Sequence, residues 1–183
     1  MSTHTLSVLV ENKPGVLAHV AGMFSRRAFN ISSLAVGPTQ DEKVSRMTIV
    51  VNAESTPVEQ VIRQLDKLVR VLKVVELDDE SAVERELALI KVRAEPAERT
   101  QLLEIASVFR ASVLDLSTGS LVIEATGSPG KVEALLAALD GYAVCEVART
   151  GRVGLNRGSA VITDGAVATG GLQAVPDTAA AAS

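Results

Sequence analysis

Few side chains in this sequence are suited to covalent or acid–base chemistry. His4 and His19 are its two histidines and Cys145 its one cysteine, too few and too far apart in sequence to build a metal cluster. His4 is expected to be terminal and solvated, and His19 to occupy an exposed helix position. Cys145 falls in an apolar strand pattern with no basic neighbour to lower its pKa, so it reads as inert packing, not as a nucleophile. The acidic residues form no pair at a strand end that could share acid and base roles. Gly127-Ser-Pro-Gly-Lys131 ends like a phosphate loop, but Ala125 stands where the first glycine belongs and Val132 where a hydroxyl should reach a metal. Gly151, Gly154 and Gly158 do not have the dinucleotide-binding spacing. No catalytic centre is expected.

Binding chemistry is concentrated in one place. Asn12-Lys13-Pro14-Gly15 breaks a strand pattern and leads into an apolar helical stripe, with Asn30 and Ile31 opening the next strand beside it. The start of a helix exposes unpaired backbone N–H groups and about half a positive charge, which suits a carboxylate. Gly15 and the following Val16 let a ligand approach the backbone there, since glycine carries no Cβ. Each asparagine amide, Asn12 and Asn30, both donates and accepts, as the ammonium and carboxylate of a zwitterion require. Leu17 and Ile31 could receive a small aliphatic side chain, and burying three or four carbons there would contribute about 1.5–3 kcal/mol. From spacing alone the alternative stays open that Asn12 caps the helix and Gly15 serves only the turn.

The elements that must position these residues follow from hydrophobic periodicity. Leu6, Val8 and Val10 alternate as a strand, and Leu17, Val20, Ala21 and Phe24 follow at helical spacing with Pro14 in the first turn. Asn30–Val36 and Val44–Asn52 read as a hairpin around the polar stretch 39–43, with Met47, Ile49 and Val51 on one face. Thr56-Pro57-Val58-Glu59 combines a capping box with proline at the first helical position. Val58, Val61, Ile62, Leu65 and Val69 form the stripe behind it, and Val71–Leu77 is a fourth strand. After the charged linker 79–86 the same order repeats. Leu87–Ala94 is a strand and Pro96–Arg110 a helix. Strands Val113–Leu116 and Leu121–Ala125 follow, then a helix capped by Ser128-Pro129 with the stripe Val132, Leu135, Leu136 and Leu139, and last the strand Ala143–Ala148. The fold class is α+β: two tandem ferredoxin-like βαββαβ sandwiches, residues 4–78 and 87–158, with antiparallel sheets and helices on one face. Residues 159–183 contain eight alanines and no Lys, Arg or aromatic residue, and are expected to form a disordered tail.

Composition narrows the partners. Of 183 residues 47% are hydrophobic but only 2% aromatic, so the cores must be aliphatic. A net charge of −4, with Phe24, Phe29 and Phe109 on or just after helices, disfavours nucleic acid, which needs a basic face and stacking aromatics. No apolar run approaches the ~18 residues of a membrane span. The absence of a signal-like N-terminus and of a possible internal disulfide points to the cytoplasm.

The segments Leu6-Ser-Val-Leu-Val-Glu-Asn-Lys-Pro-Gly-Val-Leu17 and Phe24-Ser-Arg-Arg-Ala-Phe-Asn-Ile-Ser-Ser-Leu34 closely resemble the ACT domain of the acetolactate synthase (acetohydroxyacid synthase) small-subunit family. Ser45-Arg-Met-Thr-Ile49, Gln64-Leu-Asp-Lys-Leu-Val69, Val83-Glu-Arg-Glu-Leu87 and Arg149-Thr-Gly-Arg-Val-Gly-Leu-Asn-Arg-Gly158 are similar to it in the same order. The resemblance implies a regulatory subunit that binds valine, or another branched-chain amino acid, and inhibits a catalytic large subunit making acetolactate from pyruvate. It also implies activation of that subunit without valine. Thiamine diphosphate, magnesium and FAD would belong to the large subunit, and this chain would hold no cofactor. ACT domains of the family pair as homodimers with the amino acid at their interface. Asn12, Gly15, Val16 and Leu17 would come from one protomer, and Asn30 and Ile31 from its mate. The second sandwich lacks an Asn-x-x-Gly turn and is assigned to the large subunit and activation. A stand-alone amino-acid-sensing ACT protein acting on a different enzyme is one rival reading, which the segment 149–158 argues against; a small ferredoxin-like enzyme is the other, and it would need a clustered His, Cys or carboxylate set that the sequence does not offer.

Overall fold

The computed structural model describes residues 3–52, 57–78, 80–159 and 161–162. They divide into two compact units, one comprising the described residues up to Ala82 together with Leu155–Ile162, the other Val83–Gly154.

The first unit contains β1 (Thr3–Glu11), α1 (Val16–Arg26), β2 (Ile31–Pro38), β3 (Val44–Asn52), α2 (Val58–Leu65) and β4 (Val71–Leu77). Its sheet order is β2-β3-β1-β4 with every pairing antiparallel, the ferredoxin-like arrangement. Period-2 alternation sends Leu6, Val8 and Val10 of β1 and Met47, Ile49 and Val51 of β3 to one face. There they form a single buried cluster with Val20 and Phe24 of α1 and Val58, Val61 and Leu65 of α2, so both helices cover the same face.

Several local expectations shift. Val16 and Met23, not Leu17 and Ala21, complete the buried stripe of α1; Leu17 is 45% exposed. Pro14 precedes the helix, and Gly15 occupies its N-cap. Val69 is 96% exposed because α2 has already ended at Leu65. Thr56 of the expected capping box lies outside the described residues; among those described no side chain caps α2.

The second unit repeats the order with β5 (Ala82–Arg93), α3 (Arg99–Val108), β6 (Ser112–Leu116), β7 (Ser120–Gly127), α4 (Pro129–Ala138) and β8 (Val144–Arg149). Its strands follow the matching order β6-β7-β5-β8. Ala88, Ile90 and Val92 of β5 pack with Leu102 and Ala106 of α3 and Val132, Leu135 and Leu139 of α4. Ser128 caps α4 as its sequence implies, accepting from the Lys131 backbone N–H. Cys145 is exposed on β8, not packed inside. The equivalent helices α1 and α3 both end on a non-glycine residue in the left-handed region, Ala28 (φ 55°) and Arg110 (φ 49°). Phe29 N–H donates to Phe24 O at 3.0 Å and Ala111 N–H to Ala106 O at 2.8 Å, the same C-terminal closure in both repeats.

The charged stretch expected as linker 79–86 is shorter, because β5 begins at Ala82; Ala82 and Glu86 are both buried. A ninth strand, β9 (Val153–Asn156), pairs with β5. The chain from Leu155 on belongs to the first unit, where Ile162, 8% exposed, packs against Leu9 and Val44 on the sheet face away from the helices. The expected disordered tail beyond Ile162 lies outside the described residues. No helix among the described residues is long and apolar enough to cross a membrane.

Candidate functional site

The β1–α1 turn is built by three constraints. Asn12 is fixed at both its backbone and its side chain: its N–H donates to Lys43 O at 2.7 Å and its Nδ2 to Glu42 O at 2.8 Å. Asn12 therefore ties the turn to the β2–β3 loop and does not cap α1, which has no side-chain cap at all. Gly15 adopts φ 84°, the left-handed region open to glycine, and a Cβ placed there would meet no atom within 4 Å. The space above Gly15 is open from outside. Val16 closes the turn, its N–H reaching Lys13 O at 3.4 Å while its side chain is only 3% exposed in the core.

The result is a fixed, uncapped helix start with an open approach, flanked by the exposed Leu17. Such an end attracts carboxylate through its unpaired N–H groups and dipole. A residue not signalled by the sequence adds to that field. Arg70, at the entry to β4, donates from Nη1 to Pro14 O at 3.3 Å, and its carbonyl accepts from Glu11 N–H at 3.0 Å. Nothing in spacing marks Arg70, which is one arginine between two valines. Near it a cavity of about 240 Å³ lies between Val16, His19 and Val20 of α1 and the segment Lys67–Val71.

Asn30 and Ile31 are not beside this turn in the same chain, contrary to their reading as its neighbours. Glu11 at the end of β1 pairs with Val44, whereas Ile31 pairs with Val51, seven residues further along β3. At strand rise that is roughly 23 Å. The reason is topological: α1 carries the chain back along the sheet, so β2 starts at the end opposite the turn. Asn30 is exposed there, and Ile31 packs partly against the core.

His4 also departs from expectation. It lies in β1, not free in solvent, with Nδ1 2.5 Å from Glu76 Oε1 of β4. His19 is exposed as anticipated. Among the described residues no group of three or more His, Cys, Asp or Glu is arranged to hold a metal ion.

Two separated sequence segments meet in the second unit. Arg149 donates from Nη2 to Glu86 Oε1 at 2.5 Å and from Nη1 to Glu133 Oε1 at 2.6 Å. Arg152 pairs with Glu84 at 3.6 Å. The Leu87 N–H donates to Thr150 Oγ1, and the Thr150 N–H donates to Leu87 O. Burial lowers the Arg149 pKa, but the hydrogen bonds and charges of Glu86 and Glu133 outweigh it and raise the pKa above the ordinary value.

These features coincide with a known pair of modules. Residues 6–73 match the model of the AHAS small subunit-like ACT domain, and residues 85–158 match that of the small subunit of acetolactate synthase. The acetolactate synthase small subunit of Mycobacterium bovis is 60% identical over 85% of this chain and 93% of its own length. The chain belongs to the acetolactate synthase small-subunit family. The Mycolicibacterium smegmatis small subunit is 58% identical over 85% of this chain and 92% of its own. The crystal structure of the Thermotoga maritima small subunit is similar with a TM-score of 0.79 and 42% identity, covering 87% of this chain and all of that one. Family membership confirms the two-module α+β architecture, with the Asn12–Leu17 turn inside the ACT module.

Proposed function

We propose that the chain is the cytoplasmic regulatory subunit of an acetolactate synthase, binding valine for feedback inhibition and activating a catalytic large subunit when valine is absent. The carrying observation is the β1–α1 turn: Asn12 locked to the Glu42 carbonyl, Gly15 open at φ 84°, and a helix start without a side-chain cap. It lies within a module of the family's ACT type.

In this reading valine's carboxylate takes the N–H groups at the start of α1, and the Asn12 side-chain oxygen accepts from its ammonium. Its isopropyl group lies against Leu17. Asn30 and Ile31 complete the pocket from a second copy. Their separation of roughly 23 Å from the turn within one chain supports two-protomer sites, since each ACT domain then supplies one half of two sites in a side-by-side homodimer. Valine regulates by favouring one state of that dimer, and its effect is bounded by its differential affinity, about 1–3 kcal/mol or 5–150-fold. A metabolite sensor of this kind works near a Kd of ~10⁻⁴ M, about −5.5 kcal/mol.

The test is Gly15→Asp in the holoenzyme. Its carboxylate enters the open space where the ligand's carboxylate docks, so calorimetry is expected to detect no valine binding and turnover to become valine-insensitive. Normal valine binding by this variant would overturn the assignment.

A further inference from the structure

A second cavity of the first unit, also about 240 Å³, lies on the sheet face away from α1 and α2. Its walls are the apolar side chains Val75, Leu77, Leu155, Val161 and Ile162. Arg46 of β3 supplies the one cationic group among its described lining residues. The Arg46 guanidinium donates from Nη1 to Ser7 Oγ at 3.1 Å, and no carboxylate among the described residues forms an ion pair with it. Arg149 of the second unit, by contrast, faces two carboxylates.

Burial lowers the Arg46 pKa with no neighbouring charge to offset it; an arginine nevertheless stays protonated. A partly buried guanidinium beside apolar walls is costly unless an anion completes it. Its planar fork matches a carboxylate, with N–H donors beyond the one used on Ser7. Gly158, at φ 74°, leaves the margin open: a Cβ there would meet nothing within 4 Å. The volume is below the ~300 Å³ at which drug-sized sites begin, so the occupant is small.

We propose that this cavity is a second ligand site, separate from the β1–α1 turn, in which Arg46 binds the carboxylate of a small branched aliphatic acid and the side chains of Val75, Leu77, Leu155, Val161 and Ile162 receive its alkyl group. Among the described residues no carboxylate lines the cavity to take an ammonium, so an acid without an α-amino group fits it better than an amino acid. The turn has the opposite preference. The site does not depend on whether valine binds the turn.

The test is a titration of isovalerate into the full-length chain, followed in ¹H–¹³C methyl spectra. Saturable shifts of the Val75, Leu155 and Val161 methyl groups are expected, retained in Gly15→Asp and lost in Arg46→Gln. Acetate, lacking the alkyl group, should bind at least about tenfold more weakly, and isoamylamine should not shift these methyls. If Arg46→Gln does not fold, Val161→Glu provides the second variant. Position 161 is half exposed, and its carboxylate would occupy Arg46 and abolish the shifts. The proposal is overturned if these methyls do not move up to about 10 mM, if acetate matches isovalerate (an inorganic-like anion hole only), if the shifts survive both cavity variants, or if Gly15→Asp removes them.

Discussion

Val16, not Leu17, takes the core position at the start of the α1 stripe. Val16 points into the first core and offers a ligand only its backbone, whereas Leu17 stands half exposed beside the helix start. Val16→Ala should therefore cost about 1–2.5 kcal/mol in urea denaturation. Leu17→Ala should leave stability within ~0.5 kcal/mol but weaken valine binding about tenfold, through lost apolar contact. The reverse pattern would place the ligand elsewhere. The turn that holds Asn12 and Gly15 is legible because turn chemistry is local: an asparagine and a glycine between a strand and a helix mark a chain reversal. Arg46 and Arg70 are not, since a single arginine in a strand pattern reads as a solvated side chain until its neighbours across the sheet are known. His4 was missed for the same reason, its partner Glu76 being 72 residues away.

At the scale of elements, strands and helix faces follow from periodicity, and β3, Val44–Asn52, spans the stretch its alternation predicts. Element ends were less legible. Ala28 and Arg110 terminate α1 and α3 in left-handed geometry without the glycine that normally announces it, so α3 ends at Val108, two residues before its periodicity predicts. The start of β5 is hidden because the charged run Glu84-Arg85-Glu86 interrupts its apolar pattern, although Glu86 is buried against Arg149. That clasp makes a prediction. Arg149→Ala leaves the Glu86 carboxylate buried without its partner and should destabilise the chain by about 2–3 kcal/mol. This is below the full buried-pair value, since Arg149 is itself about a third exposed. Replacing both residues by leucine should recover most of the loss in the same urea titration. If Arg149→Ala costs nothing, the clasp is not holding β5 to β8.

For the whole molecule, the repeat was legible as an order of elements, even though the two halves share few residues. The return of segment 155–162 to the first unit was not, because a four-residue strand followed by glycine and polar residues carries no periodic signal. The same return limits how the chain can be cut: truncation after Ala82 would also remove Ile162 from Leu9 and Val44. The two halves of the proposed valine site sit at opposite ends of one sheet, and regulation then requires a dimer. Mixing Gly15→Asp with Asn30→Ala protomers tests this most directly. Each variant alone should bind no valine in calorimetry. Random re-pairing should restore one intact site in each mixed dimer, about a quarter of the wild-type stoichiometry. No recovery from a mixture shown to contain mixed dimers would contradict a site shared between two copies of this chain.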